Sequence, residues 1–270
     1  MTPPEPPRRI PSRDGTPIAV FATGAGGPLI LVHGTAGDHT TFRVIGPRLG
    51  DGFALAALDR RGRGASGDAP GYSIEREFED VAAVAEQLAA EAGRPVSVFG
   101  HSYGGRCALG AALLTDAIER VICYEGAPAP RGLTHHSHEL DARLRTKLEA
   151  GDPAGLLAAF MTEVVGTTPA ELEAYRADPV WPTRVAAAFT IPRELEAEVT
   201  PPASLDALGR VRQPVLQLLG SASLPVFREA TVALDERLAD GRVVVIDGAK
   251  HAAHHTHPDA VVTAIRAFLA

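Results

Sequence analysis

Cysteine is scarce in this sequence, with only Cys107 and Cys123 among 270 residues. Two are too few for a disulfide framework. Both lie in apolar segments, so they are expected to be small buried side chains in a reducing compartment. Long apolar runs are missing as well. None approaches the roughly 18 residues that cross a bilayer, and the start, MTPPEPPRRIPSRDG, lacks the apolar centre of a secretory signal. A cytoplasmic protein with no membrane partner is the expectation. Positive charge is in deficit, 26 Lys and Arg against 33 Asp and Glu, for a formal charge of -7. That balance repels phosphate backbones, and the basic run Arg60-Arg61-Gly62-Arg63 is too short to form a nucleic-acid stripe.

What is present is the composition of an ordinary globular protein, 45% hydrophobic and 22% charged. Short apolar runs bounded by Gly or Pro predict strands at 17–22, 29–33, 53–58, 96–99, 121–124, 215–219 and 243–246. Helical periodicity occupies 74–92, 103–114, 227–239 and 258–269. Alternating elements, with strands apolar on both faces, indicate a mostly parallel sheet flanked by helices. The rhythm stops between 127 and 212. Helical patches at 139–150, 154–165, 170–177 and 184–189 are broken there by Pro153, Pro169, Pro179, Pro182 and Pro192. This gives a core of 1–126 and 213–270 with a helical insertion over 127–212. Ligands bind outside the carboxyl ends of such strands, where the insertion would form a lid. The proline-rich start, residues 3 to 11, reads as a loosely held arm.

Gly100-His101-Ser102-Tyr103-Gly104 fits G-x-S-x-G between an apolar strand and an amphipathic helix. In such a turn the serine is strained, glycines on either side relieve collisions, and the hydroxyl projects. The backbone N–H of Tyr103, at the helix start, can donate to an anion. Ser102 is thus a candidate nucleophile.

With this motif in place, the chain resembles the α/β-hydrolase superfamily over nearly its whole length. Leu31-Val32-His33-Gly34-Thr35 is similar to the family's H-G segment, which implies that the N–H of Thr35 is a second oxyanion donor. Asp59-Arg60-Arg61-Gly62-Arg63-Gly64-Ala65-Ser66 is similar to a family turn and is expected to be structural. His251, in Gly248-Ala249-Lys250-His251 after the last strand, stands where the family carries its general acid and base. The clusters His254, His255, His257 and His135, His136, His138 raise the question of a metal. His251 and His255 have H-x-x-x-H spacing, but Ala252 stands where a zinc protease needs glutamate, and no metal or other cofactor is expected.

The family's usual acid, an Asp after the penultimate strand, is missing: Ser223 occupies its place, and no acid occurs between Asp206 and Glu229. Glu125, directly after the strand at 121–124, is the candidate replacement. It keeps the order Ser, acid, His. Asp247 is the other candidate, and a salt bridge from Glu125 to Arg106 or Arg131 is the structural alternative. The expectation is a serine hydrolase acting on a small or medium apolar carboxylic ester, lactone or thioester, a small-molecule substrate. His101, Phe160, Met161, Trp181 and Phe189 are the candidate substrate contacts, with the lid's own core as the alternative place for the four apolar ones. A cofactor-free haloperoxidase or perhydrolase, a carbon–carbon bond hydrolase, and a hydrolase-like binding protein stay open, as does a homodimer.

Overall fold

Eight strands make one sheet in the computed structural model, which describes residues 6–270. They are β1 (Arg8–Pro11), β2 (Pro17–Gly24), β3 (Gly27–Val32), β4 (Phe53–Leu58), β5 (Val96–His101), β6 (Ile118–Tyr124), β7 (Val215–Gly220) and β8 (Gly241–Ile246). Their order across the sheet is β1-β2-β4-β3-β5-β6-β7-β8. β2 is antiparallel to both neighbours, and every later pairing is parallel. All seven expected strands occur. The eighth, β1, corrects the reading of a loose arm: Arg8 to Pro11 pair with Val20 to Pro17. Pro11 is tolerated because an edge strand does not need every N–H. Residues 3–5 of that arm lie outside the described residues.

Strand side chains alternate between two apolar layers. Ile30, Val32, Val98 and Val121 face one layer, while Leu29, Leu31, Phe99 and Ile122 face the other. α1 (Gly46–Leu49) lies on the second side, whereas α2 (Ile74–Ala92) and α3 (Tyr103–Ala112) cover the first. α2 starts with Glu75 and Glu77 in its first turn and stops at Gly93, which is left-handed at φ 65°. Acids there complement the helix dipole, and glycine carries no Cβ penalty in that conformation. Cys107 and Cys123 are both buried and free, and burial pushes each thiol up to about 12.

Six helices separate β6 from β7: α4 (His138–Glu149), α5 (Pro153–Glu163), α6 (Pro169–Arg176), α7 (Trp181–Ala186), α8 (Ile191–Ala197) and α9 (Leu205–Leu208). Pro153, Pro169, Pro182 and Pro192, expected as breakers, instead stand in the first turns of α5 to α8. First-turn N–H groups have no intrahelical acceptor, so proline loses nothing there. The helix expected over 184–189 is divided between α7 and a 3-10 turn, Ala188–Thr190. Leu144, Leu156, Leu157, Phe160 and Ile191 build a separate small core. Ala197, Ala203, Leu205, Leu208 and Val211, later in the same stretch, pack into the main core. After β7 come α10 (Pro225–Asp235), α11 (Ala253–Thr256) and α12 (Pro258–Leu269). No helix among the described residues is long and apolar enough to cross a membrane.

Candidate active site

β5 ends at His101 and α3 begins at Tyr103, which leaves Ser102 alone to turn the chain, at φ 54° and ψ −126°. A Cβ on Gly100 would meet the backbone of Gly104, and one on Gly104 would meet the carbonyls of Val32 and His33. Only glycine fits at either position. Ser102 N donates to Tyr124 O at 2.8 Å, tying the turn to the tip of β6. The Tyr103 side chain is structural: its hydroxyl contacts that of Tyr72 at 2.9 Å, and the Arg60 guanidinium lies 4.5 Å from its ring centre. Its amide, first in the helix, has no intrahelical acceptor.

Glu125 follows β6 with φ 47°, a left-handed conformation that is rare outside glycine. Its fully buried carboxylate accepts three hydrogen bonds, from His251 Nδ1 at 2.6 Å, Gly220 N at 2.7 Å and Ser223 Oγ at 2.5 Å. Ser223, standing where the usual acid is missing, thus donates to the candidate acid. Asp247 accepts from Ser221 Oγ at 3.2 Å. Arg106 pairs with Glu198, not Glu125, and donates to Gly126 O at 3.2 Å.

The His251 ring is held between Phe227, stacked at 4.4 Å, and His101 at 4.8 Å. His101 Nε2 also donates to the His251 carbonyl at 2.9 Å. Since a carboxylate only accepts, Nδ1 of His251 is the donor in this bond. Ser102 and His251 line the same two cavities. Ser102 Oγ is not hydrogen-bonded to the ring in this state; such contacts are often long until substrate binds.

Thr35 lies beyond β3 and lines both cavities beside Ser102. The segment is fixed by buried His33, whose Nε2 accepts from Arg60 N at 3.0 Å. Burial, reinforced by Arg60 and Arg63, holds the His33 ring well below the usual histidine range. The Asp59 turn is structural: its carboxylate takes His39 N and Ala65 N, each at 2.8 Å. Arg60 pairs with Glu77 at 2.7 Å and with Glu194 of α8 at 2.9 Å, joining insertion to core.

The outer cavity measures about 600 Å³ and the inner about 30 Å³. Phe160 lines both, whereas Met161 and His101 line the outer one. Trp181 and Phe189, expected as substrate contacts, line neither. Trp181 packs edge-on against Tyr175 at 5.4 Å within the insertion, and Phe189 is 43% exposed beside Arg193. His254 and His255 belong to the outer wall, and no group of three or more His, Cys, Asp or Glu among the described residues is arranged to hold a metal. Sequence reasoning missed Phe227 and Glu198, marked Ser223 as the holder of the vacant acid position without a role, and named His135 as one of a histidine cluster. Phe227 and Glu198 carried no local signal in the sequence.

The sheet order and the serine turn between β5 and α3 are those of an α/β hydrolase. The chain belongs to the Alpha/beta hydrolase family, whose model matches residues 29–264. It is 27% identical over 264 residues to 2-(acetamidomethylene)succinate hydrolase of Mesorhizobium japonicum, covering 93% of this chain and 91% of that one. It is 25% identical to esterase YbfF of Escherichia coli, over 90% of this chain and 92% of the relative. The crystal structure of an alpha/beta hydrolase from Sphaerobacter thermophilus superposes with a TM-score of 0.83 at 30% identity, covering 97% and 100% of the two chains.

Proposed function

We propose that this hydrolase is a serine esterase, cleaving small or medium apolar carboxylic esters, lactones or thioesters through an acyl-enzyme. Ser102 Oγ attacks the carbonyl while His251 Nε2 takes its proton, and Glu125 orients the ring and stabilises its positive charge. The amides of Thr35 and Tyr103 hold the oxyanion; losing one such donor costs about 10² to 10³ in rate. His251 returns the proton to the leaving oxygen, and water then releases the acid. The insertion acts as a lid, with Phe160 and Met161 facing substrate. The observation that carries this reading is the 2.6 Å bond between Glu125 and His251 Nδ1, at a cavity shared with Ser102.

A second reading, hydrolysis of an amide, draws on the likeness to 2-(acetamidomethylene)succinate hydrolase. It uses the same residues and differs in the leaving atom. A fluorophosphonate tests both. Expected is one covalent adduct, absent in Ser102→Ala, with turnover of p-nitrophenyl acetate by the unmodified chain. An unlabelled, inactive chain that still binds a ligand in the outer cavity would instead be a hydrolase-like binding protein.

A further inference from the structure

We propose that the site is specific for short acyl groups, acetyl or smaller, carried on large, uncharged leaving groups. This rests on the hydrolase reading and deepens it. Ser102 stands where two very unequal spaces meet, about 600 Å³ on one side and about 30 Å³ on the other. A buried water needs about 10 to 15 Å³ of such space. The inner chamber therefore holds about two waters, or one methyl group.

Proton transfer decides which part of the substrate enters which space. The C–O bond to the leaving group breaks as Ser102 Oγ bonds the carbonyl carbon, and the serine proton passes through His251 to the departing oxygen. The leaving group must therefore lie on the side of the loop that carries His251. Gly248, Lys250, Ala252 and His254 of that loop wall the outer cavity, while only His251 itself reaches the inner one. The substituent on the acyl carbon is left with the inner chamber.

The inner walls resist enlargement. Val164, Leu195 and Phe227 close the apolar side, all nearly fully buried. On the polar side the Arg106–Glu198 ion pair is anchored to Gly126 O. Burial alone would raise the Glu198 carboxyl, but Arg106 and His136 outweigh it and hold it down to about 2. The pair stays charged, and charge favours a short polar-edged chamber over a longer alkyl chain.

The outer wall offers little to a carboxylate. Arg43 is paired with Asp178 at 2.6 Å, Arg184 with Asp38 at 2.6 Å and Lys250 with Glu171 at 2.8 Å. Each cation lining that space already has an acidic partner. The remaining lining includes Phe160, Met161, Val165 and Ala174. An uncharged, largely apolar leaving group fits this wall.

The test compares kcat/KM for p-nitrophenyl acetate, butanoate and octanoate, then methyl against benzyl acetate, whose leaving groups differ in size more than in basicity. One methylene that a pocket cannot accept costs about 10-fold or more. Acetate is expected to exceed butanoate by at least about 10-fold, benzyl acetate to exceed methyl acetate, and Val164→Ala to narrow the acetate–butanoate gap. Butanoate or octanoate turned over as well as acetate by the unmodified chain would overturn the proposal while the hydrolase reading stood. Failure of every ester together with failure of fluorophosphonate to label Ser102 would remove both. Circular dichroism of Val164→Ala checks its fold; should it not fold, the substrate series on the unmodified chain decides.

Discussion

Glu125→Gln keeps the shape of the side chain and removes its charge, so it isolates what the carboxylate does for His251. Gly220 N–H can only donate, and it lies 2.7 Å from Oε1, which also takes the Ser223 hydroxyl at 2.5 Å. The glutamine oxygen therefore occupies the Oε1 place, and its NH2 faces His251 Nδ1, 2.6 Å away in the native pair. Two donors cannot face each other at that distance. The ring must give up the proton on Nδ1 and carry it on Nε2, the nitrogen that should receive the serine proton. In the Ser-His-Asp template the equivalent change costs about 10⁴ in kcat, or about 5.5 kcal/mol of activation free energy. A loss of about 10³ to 10⁴ is expected here by the same mechanism, with KM within a few fold because no substrate contact is touched.

The assay is p-nitrophenyl acetate hydrolysis, with the rate of fluorophosphonate labelling as an independent measure of nucleophile activation. Both should fall in parallel while the thermal midpoint stays within a few degrees. A loss below about 10-fold in either would refute the argument, because some other group would then be setting the His251 tautomer. Asp247 would be the next to test.

Two further perturbations follow from the same geometry. Gly104→Ala places a methyl on the carbonyls of Val32 and His33, backbone atoms of the central sheet that cannot move aside. It should cost at least about 2 to 3 kcal/mol, lowering the thermal midpoint by about 5 to 10 °C; Gly46→Ala, with open space around it, is the matched control and should change little. Acid should also destabilise the fold. His33 and His254 are held well below 6.5, by burial first, aided by Arg60 at His33 and by His101 at His254. Their lowered folded values mean that the unfolded chain binds more protons below pH 6.5, so stability present at pH 7 is lost as pH falls. The unfolded value of about 6.5 limits the loss from each to at most about 2 kcal/mol by pH 5. Denaturant melts at pH 7 and 5 check this; equal stability at both would show that these rings are not held neutral.

The sheet was legible because seven strands carry apolar residues on both faces, a pattern that little else produces. β1 was not, since Arg8-Arg9-Ile10-Pro11 has one apolar position and a proline, and its strand character comes from pairing with β2. The insertion was read as broken by prolines because a sequence does not distinguish a proline in a helix interior from one in a first turn. At the site, G-x-S-x-G, the H-G segment and the loop after β8 are local patterns, so Ser102, Thr35 and His251 could be singled out. Glu125 emerged only because the usual position was vacant. Trp181 and Phe189 kept two readings because an apolar residue in a lid looks the same whether it faces substrate, its own core or solvent.

The proposed triad acid at the tip of β6, in place of one in the loop after β7, is consistent with the sheet order. β6 lies between β5, which carries the nucleophile, and β7. A carboxylate there starts one strand closer to the serine, and the vacated β7 loop still contributes Gly220 N and Ser223 Oγ, now as donors to the newcomer. The backbone carries the cost. Among the described residues the non-glycine positions with positive φ are Ala36, Ser102 and Glu125, just past the carboxyl ends of β3, β5 and β6, three neighbouring strands. Such conformations cost about 1 to 3 kcal/mol each and persist only where the surroundings enforce them. For Ser102 and Glu125 the bonds from Ser102 N to Tyr124 O and from Glu125 N to Leu218 O provide part of that enforcement, tying the end of β5 to β6 and the end of β6 to β7. Strain gathered at one rim of the sheet marks the place where position has taken precedence over backbone comfort. The residues so held are the proposed nucleophile, its acid and the neighbour of the proposed oxyanion donor.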